Sequence, residues 1–183
     1  FGSICSIKRA KLTHQLILDN YQESHFLGPI TNRRVVRKMP ESYRQELQSL
    51  KLFSGMERDN FDALMRGAYV QNFPPRIDLI SEGDAPDFLH VVLTGSVDLY
   101  CSWNGRETSM ATVRPVTTFI LAASVQNAPY LMSARTLEKS RLVLLPSEDV
   151  RAIFDRDGVF ARAIVRELAQ CYRSVVKNTK DLK

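Results

Sequence analysis

Phe88-Leu89-His90-Val91-Val92-Leu93-Thr94-Gly95-Ser96-Val97-Asp98-Leu99-Tyr100-Cys101-Ser102-Trp103-Asn104-Gly105 is the stretch on which the fold depends. Leu89, Val91 and Leu93 alternate onto one face of a strand, Thr94-Gly95 interrupts it, and Val97 to Trp103 resumes. Asn104-Gly105 then supplies two residues that tolerate positive φ, which a two-residue hairpin turn demands. Arg106 to Val113 is the expected return strand. Before Phe88, Ile77 to Ser81 ends in the turn Glu82-Gly83-Asp84. On the other side, after an apolar stretch from Thr118 to Val125, come Ser133 to Leu137 and Arg141 to Leu145. Short strands at this spacing, joined by Gly-containing turns, predict an antiparallel sandwich or jelly roll.

Helical spacing flanks the strands. Tyr43, Leu47, Leu50 and Leu52-Phe53 give a short amphipathic helix ending near Ser54-Gly55. Phe61, Leu64, Met65 and Ala68 give a second, and Pro74-Pro75 stops the pattern. Pro146-Ser147-Glu148-Asp149 reads as a helix start, with Ser147 as N-cap and two acids favoured by the macrodipole. That helix stops near Asp157-Gly158, and a longer one runs from about Val159. On it Ile164, Leu168, Cys171, Val175, Asn178 and Leu182 recur at spacings of 4, 3, 4, 3 and 4, a heptad seam that would pair two parallel helices. Asn178 in the seam would fix register. The same spacing also fits an amphipathic helix packed on its own roll. The expected class is mainly β with flanking α: an antiparallel β-roll or jelly roll followed by a long dimerisation helix. Three regions follow: a basic leader over 1–38, helices and roll over 39–157, and the long helix over 158–183.

The 183 residues, 44% of them apolar, suffice for a real core. The net charge of +5 is local. Residues 1–38 hold seven Lys/Arg against Asp19 and Glu23, whereas 39–183 hold 18 basic and 18 acidic side chains. The leader is read as flexible or non-native, and dispensable, with a DNA-touching arm as the alternative. No apolar run approaches the ~18 residues needed to span a bilayer, and the start is unlike a secretory signal. Cys5, Cys101 and Cys171 match neither a disulfide framework nor a metal spacing. A cytoplasmic protein without a membrane segment is expected. No catalytic motif or acid–base pair is found, and no metal site, since only His90 lies within the fold. The expectation is that the chain is not an enzyme.

The order of these segments resembles the Crp/Fnr family of bacterial transcription regulators. The resemblance rests on Leu79-Ile80-Ser81-Glu82-Gly83-Asp84, on Phe88 to Val97 with Asn104-Gly105, on Phe119-Ile120 and Ser133-Ala134, and on Leu144-Leu145-Pro146-Ser147-Glu148-Asp149. It implies an effector-sensing β-roll whose long helix pairs two subunits and leads into a helix-turn-helix DNA reader. DNA binding would then belong to a C-terminal domain outside this chain, which is read as truncated before it.

The departures are informative. Nucleotide-binding members carry F-x-G-E, whose backbone amides and carboxylate hold the phosphate and ribose, and further on an Arg that neutralises the phosphate. Here Leu121 replaces the Gly, Ala122 the Glu and Met132 the Arg. A phosphodiester buried without a cation or an amide cradle loses its polar compensation, so cyclic nucleotides are not expected to bind. Arg135 should face outward by alternation. Phe119, Leu121, Ala122, Tyr130, Met132 and Ser133 are the candidate effector pocket, with Ala123 and Leu131 beside them. Two readings are open: a cavity filled in to become core, or a pocket for a small apolar or flat effector, haem included, with His90 as the candidate axial ligand. A ligand-free dimerisation or interaction module of the same fold is the rival function.

Overall fold

The structure, a computed structural model, describes residues 39–181; the expectations for residues 1–38 and for Leu182 lie outside the described residues. Two short helices come first, α1 (Glu41–Ser49) and α2 (Arg58–Arg66). Eight strands follow: β1 (Tyr69–Phe73), β2 (Asp78–Ile80), β3 (Phe88–Thr94), β4 (Val97–Trp103), β5 (Arg106–Val113), β6 (Thr117–Phe119), β7 (Ser133–Thr136) and β8 (Ser140–Pro146). A helical turn and a half, α3 (Leu121–Gln126), links β6 to β7, and α4 (Ser147–Arg156) and α5 (Gly158–Asp181) close the described chain. No helix among the described residues is long and apolar enough to cross a membrane.

The strands form two four-stranded antiparallel sheets, ordered β1-β8-β3-β6 and β2-β7-β4-β5. The first sheet is buried on both faces, which is why β3 and β8 read as almost unbroken apolar runs. Leu89, Val91, Val143 and Leu145 face the helices, where they meet Leu47, Phe61 and Phe160. Val92, Leu142 and Leu144 face the opposite way, toward Val97, Val113 and Ala134 of the second sheet. The roll and the helical layer therefore share one sheet as a common wall.

Asn104 and Gly105 adopt φ of 50° and 76° at the β4–β5 tip, as the hairpin reading requires. Gly95 has φ of +85°, and a Cβ there would lie 2.3 Å from the Ser140 hydroxyl, so the β3–β4 turn excludes side chains. β1 and β6 were not foreseen as strands. Both lie at an edge of the first sheet, and β6 is only three residues long.

The helices are tied down by specific contacts. Arg44 pairs with Asp62 and lies over the Phe61 ring, 5.6 Å from its centroid. Arg141 donates to the Tyr43 hydroxyl at 2.6 Å and to Asn72 Oδ1 at 2.9 Å, joining α1 to the sheet. Asp157, 3% exposed, is the joint between α4 and α5. One carboxylate oxygen accepts the backbone N–H groups of Val159 and Phe160, at 3.0 and 2.9 Å. The other accepts Glu57 N–H and Asn60 Nδ2, at 3.2 and 3.0 Å. One side chain thus caps α5 and clasps the start of α2. Ser147 does not cap α4 as expected; it is the first helical residue, and its buried hydroxyl has no hydrogen-bond partner.

Candidate functional site

The expected effector segment runs from β6 through α3 to β7. β6 ends at Phe119, Ile120 turns the chain with φ of 56°, and Asn127 ends α3 in the same left-handed region with φ of 53°. The six candidate pocket residues do not gather around one space. Phe119 and Tyr130 are buried between the sheets with Ala123, whereas Leu121 turns to the other side and joins the helical core. Ala122 is exposed, and Met132 and Ser133 are half-buried at the rim. Ser133 accepts the Glu82 N–H through its hydroxyl at 3.0 Å. Of the two readings left open by the sequence, the structure places Phe119, Leu121 and Tyr130 in packed core.

A backbone carbonyl anchors this segment. Asp87 O accepts the Ser147 N–H at 2.9 Å, so by antiparallel alternation the Phe88 carbonyl points to the opposite edge of β3. There β6 has already ended, and the carbonyl takes side-chain donors instead: the Tyr130 hydroxyl at 3.1 Å and the Ser124 hydroxyl at 3.4 Å. Arg151 of α4 donates to the Ser124 carbonyl at 2.9 Å, joining α3 to α4. Burial raises the Tyr130 phenol well above its ordinary range, against the Phe88 carbonyl, which lowers it; Asp87 and Asp84 add to the rise. Ser124 was not singled out by sequence reading, because a lone Ser in a short apolar stretch carries no periodic signal.

His90 lies directly opposite Phe119 in the ladder and stacks on it, with ring centroids 5.1 Å apart. It is 5% exposed, and its Nδ1 has no hydrogen-bond partner. Burial pulls its pKa down to about 4, against the raising effect of the Phe88 carbonyl. The ring is therefore neutral at pH 7.

These residues do not fit a cyclic phosphodiester. The one arginine on β7, Arg135, faces outward, pairing with Glu107 at 2.9 Å and lying 4.5 Å from the Tyr100 ring centroid. They do not fit haem either. His90 is enclosed in the core between the sheets, and a porphyrin reaching it would displace the side chains that form that core. Cys101 is half-buried on the second sheet, and Cys171 is exposed on α5. Among the described residues no group of three or more His, Cys, Asp or Glu is placed to hold a metal.

The second candidate surface is α5. Ile164 is fully buried against its own roll, so it is unavailable to a partner, and the expected seam is corrected at that position. Leu168 is half-buried, Cys171 exposed, and Val175 62% exposed. Asn178 lies further along the same helix. Two residues missing from the expected seam are also exposed: Val165 at 59% and Tyr172 at 71%. Val165, Leu168, Tyr172 and Val175 recur at 3, 4 and 3, a heptad stripe adjoining the one read from the sequence and sharing Leu168 and Val175 with it.

Residues 70–157 match the family model described as the cyclic nucleotide-binding domain. The chain resembles the potassium channel KAT1 of Oryza sativa subsp. japonica, at 23% identity over 119 residues; that match covers 65% of this chain and 17% of the channel. The chain thus spans only a small part of the curated relatives it matches. Among solved structures it resembles the sensor domain of the transcriptional regulator DNR from Pseudomonas aeruginosa, with a TM-score of 0.63 and 18% identity, over 69% of this chain and 91% of that one. It also resembles the Thermus thermophilus catabolite activator protein, with a TM-score of 0.62 and 23% identity, over 73% and 63% of the two chains. The roll, its sheet order and its flanking helices together give this chain the cyclic nucleotide-binding jelly-roll fold, with residues 70–157 as the matched domain.

Proposed function

We propose that the chain is a non-catalytic regulatory module of a bacterial, cytoplasmic Crp/Fnr-like transcription regulator, and that α5 pairs two copies into a homodimer. Its cassette is filled by its own side chains, so cyclic nucleotides are not its effectors. DNA recognition is the task of a reader beyond α5. The observation that carries this reading is the apolar stripe Val165, Leu168, Tyr172 and Val175, exposed at every position but the half-buried Leu168. In its first heptad Val165 and Leu168 give the β-branched and Leu pair that suits two parallel strands, while Tyr172 and Val175 continue the apolar stripe; each buried Leu or Val contributes about 1.5–3 kcal/mol.

Sedimentation velocity tests it. The parent should be dimeric at micromolar concentration, and Tyr172→Glu with Val175→Glu should be monomeric, because four buried unpaired charges would enter one interface. The β-sheet circular dichroism of the double variant should persist. A monomeric parent, or a dimeric double variant, overturns the reading.

One observation favours a second reading, an effector-bound state. The unpartnered Nδ1 of His90 is an unused hydrogen-bonding position in the roll interior. A small effector that entered the roll interior would find a hydrogen-bonding group there. Native mass spectrometry of protein from its own host distinguishes the two: a reproducible mass increment supports the effector, and the bare chain mass supports the filled module.

A further inference from the structure

The charges of α5 are sorted onto one side. Arg162, Arg166, Arg173, Lys177 and Lys180 follow one another at intervals of four, seven, four and three. At about 100° per residue they fall within one narrow arc. All five are exposed, and none belongs to an ion pair among the described residues. Glu167, an acid of this helix, lies outside that arc. The rest of the molecule has the opposite balance. Residues 39–157 hold 12 basic and 16 acidic side chains, while residues 158–183 hold six basic and two acidic. Glu82, Asp84 and Asp87 lie together in the β2–β3 loop, also outside any ion pair among the described residues. That loop is bound to the segment after α3, since Gly83 N–H donates to the Tyr130 carbonyl and Tyr130 N–H to the Asp84 carbonyl, at 2.8 and 3.0 Å. α3 in turn packs against α5.

We propose that in the homodimer the basic stripe of each α5 docks on the acidic body of the second copy, around Glu82, Asp84 and Asp87. The proposal rests on the dimer reading above and names what covers the flank of its seam. The occupant follows from the order of the arcs. The roll grips α5 through Phe160 and Ile164, the Val165–Val175 stripe comes next around the helix, and the basic arc lies on the far side of that stripe. In a parallel pair, one flank of each seam faces the opposite flank of the partner. The flank that carries the roll on one copy therefore faces the basic flank of the other. This brings the cations to a body of opposite sign and keeps the two basic stripes apart.

The test is the dimer dissociation constant, measured by sedimentation equilibrium at about 50 mM and about 500 mM salt, where screening lengths differ severalfold. Arg166→Glu with Arg173→Glu should weaken the dimer at least tenfold at low salt, and less at high salt. Glu82→Lys with Asp87→Lys should weaken it similarly. All four together should recover most of the affinity, because the attraction is rebuilt with reversed signs. Additive weakening in the four-fold variant, or no effect of either pair, overturns the proposal. So does an unchanged dimer accompanied by lost binding to a short DNA duplex or to phosphatidylserine vesicles, which would assign the stripe to a polyanion instead. If Tyr172→Glu with Val175→Glu is monomeric while the charge variants behave as the parent, the seam stands and only this contact fails. If that seam variant stays dimeric, the dimer reading itself fails.

Discussion

At the scale of single residues, His90 is the most exacting position in the roll. An imidazole there must be neutral to be buried, and its Nδ1 is left without a partner. In the unfolded chain the same group titrates near its ordinary value of 6.5, whereas in the fold it is held to about 4. Between those values the unfolded chain binds the proton that the fold refuses. The stability contributed by the neutral ring is complete above about pH 6.5 and is lost as pH falls toward 4, by on the order of 3 kcal/mol. His90→Leu should therefore flatten the melting temperature between pH 7 and pH 4.5, a range over which the parent falls. A parent curve as flat as that of the variant would contradict this assignment. The sequence showed a histidine within an apolar strand. It did not show Phe119 directly opposite, because cross-strand pairing joins residues 29 positions apart.

At the scale of elements, Asp157 joins three helices: it ends α4, caps α5 and clasps α2. Burial raises its carboxyl, but the hydrogen bonds from Phe160, Asn60, Glu57 and Val159 outweigh this and hold it below the usual range. Its contribution is thus present above the ordinary carboxylate range and lost only as pH drops through its lowered value, below the window of His90. Asp157→Ala should cost about 2–3 kcal/mol, a cap plus orphaned donors, read as a shift of the urea midpoint. A shift under about 0.5 kcal/mol would show that the joint is not carried by this carboxylate. A break at Asp157-Gly158 was legible in the sequence, but not the contacts with Glu57 and Asn60, 100 and 97 residues away. β1 was illegible for a different reason: at the sheet edge only Phe73 is fully buried, so the strand lacks the alternation that marks β3. Ser147 looked like a cap because its residue type and place are right; the chain enters α4 one residue earlier than that role needs.

At the scale of the whole molecule, the two sheets and the helical layer were legible because each strand of the central wall carries its own pattern. The exposed stripe of α5 was half legible. A helix that meets its own roll on one side and is apolar on the next has two adjoining stripes, and spacing alone cannot separate Ile164 from Val165. Burial separates them. The filled interior makes a prediction of its own. Cyclic AMP and cyclic GMP should bind no better than about 1 mM, since the lost amide, carboxylate and guanidinium contacts are each worth about 1–3 kcal/mol. Isothermal titration checks it, and micromolar affinity for either would show that the core opens. The length of α5 has a mechanical consequence. Its 24 residues make a rod of about 36 Å, held at the base by Asp157, Phe160 and Ile164 and exposed at nearly every described position from Ala169 onward. A rod gripped at one end multiplies angle into travel. A tilt of about 10° at the Asp157 joint carries the far end through about 6 Å, roughly the rise of one helical turn. A sideways movement of about 1 Å at Phe160 is thus one of several ångström at the other end.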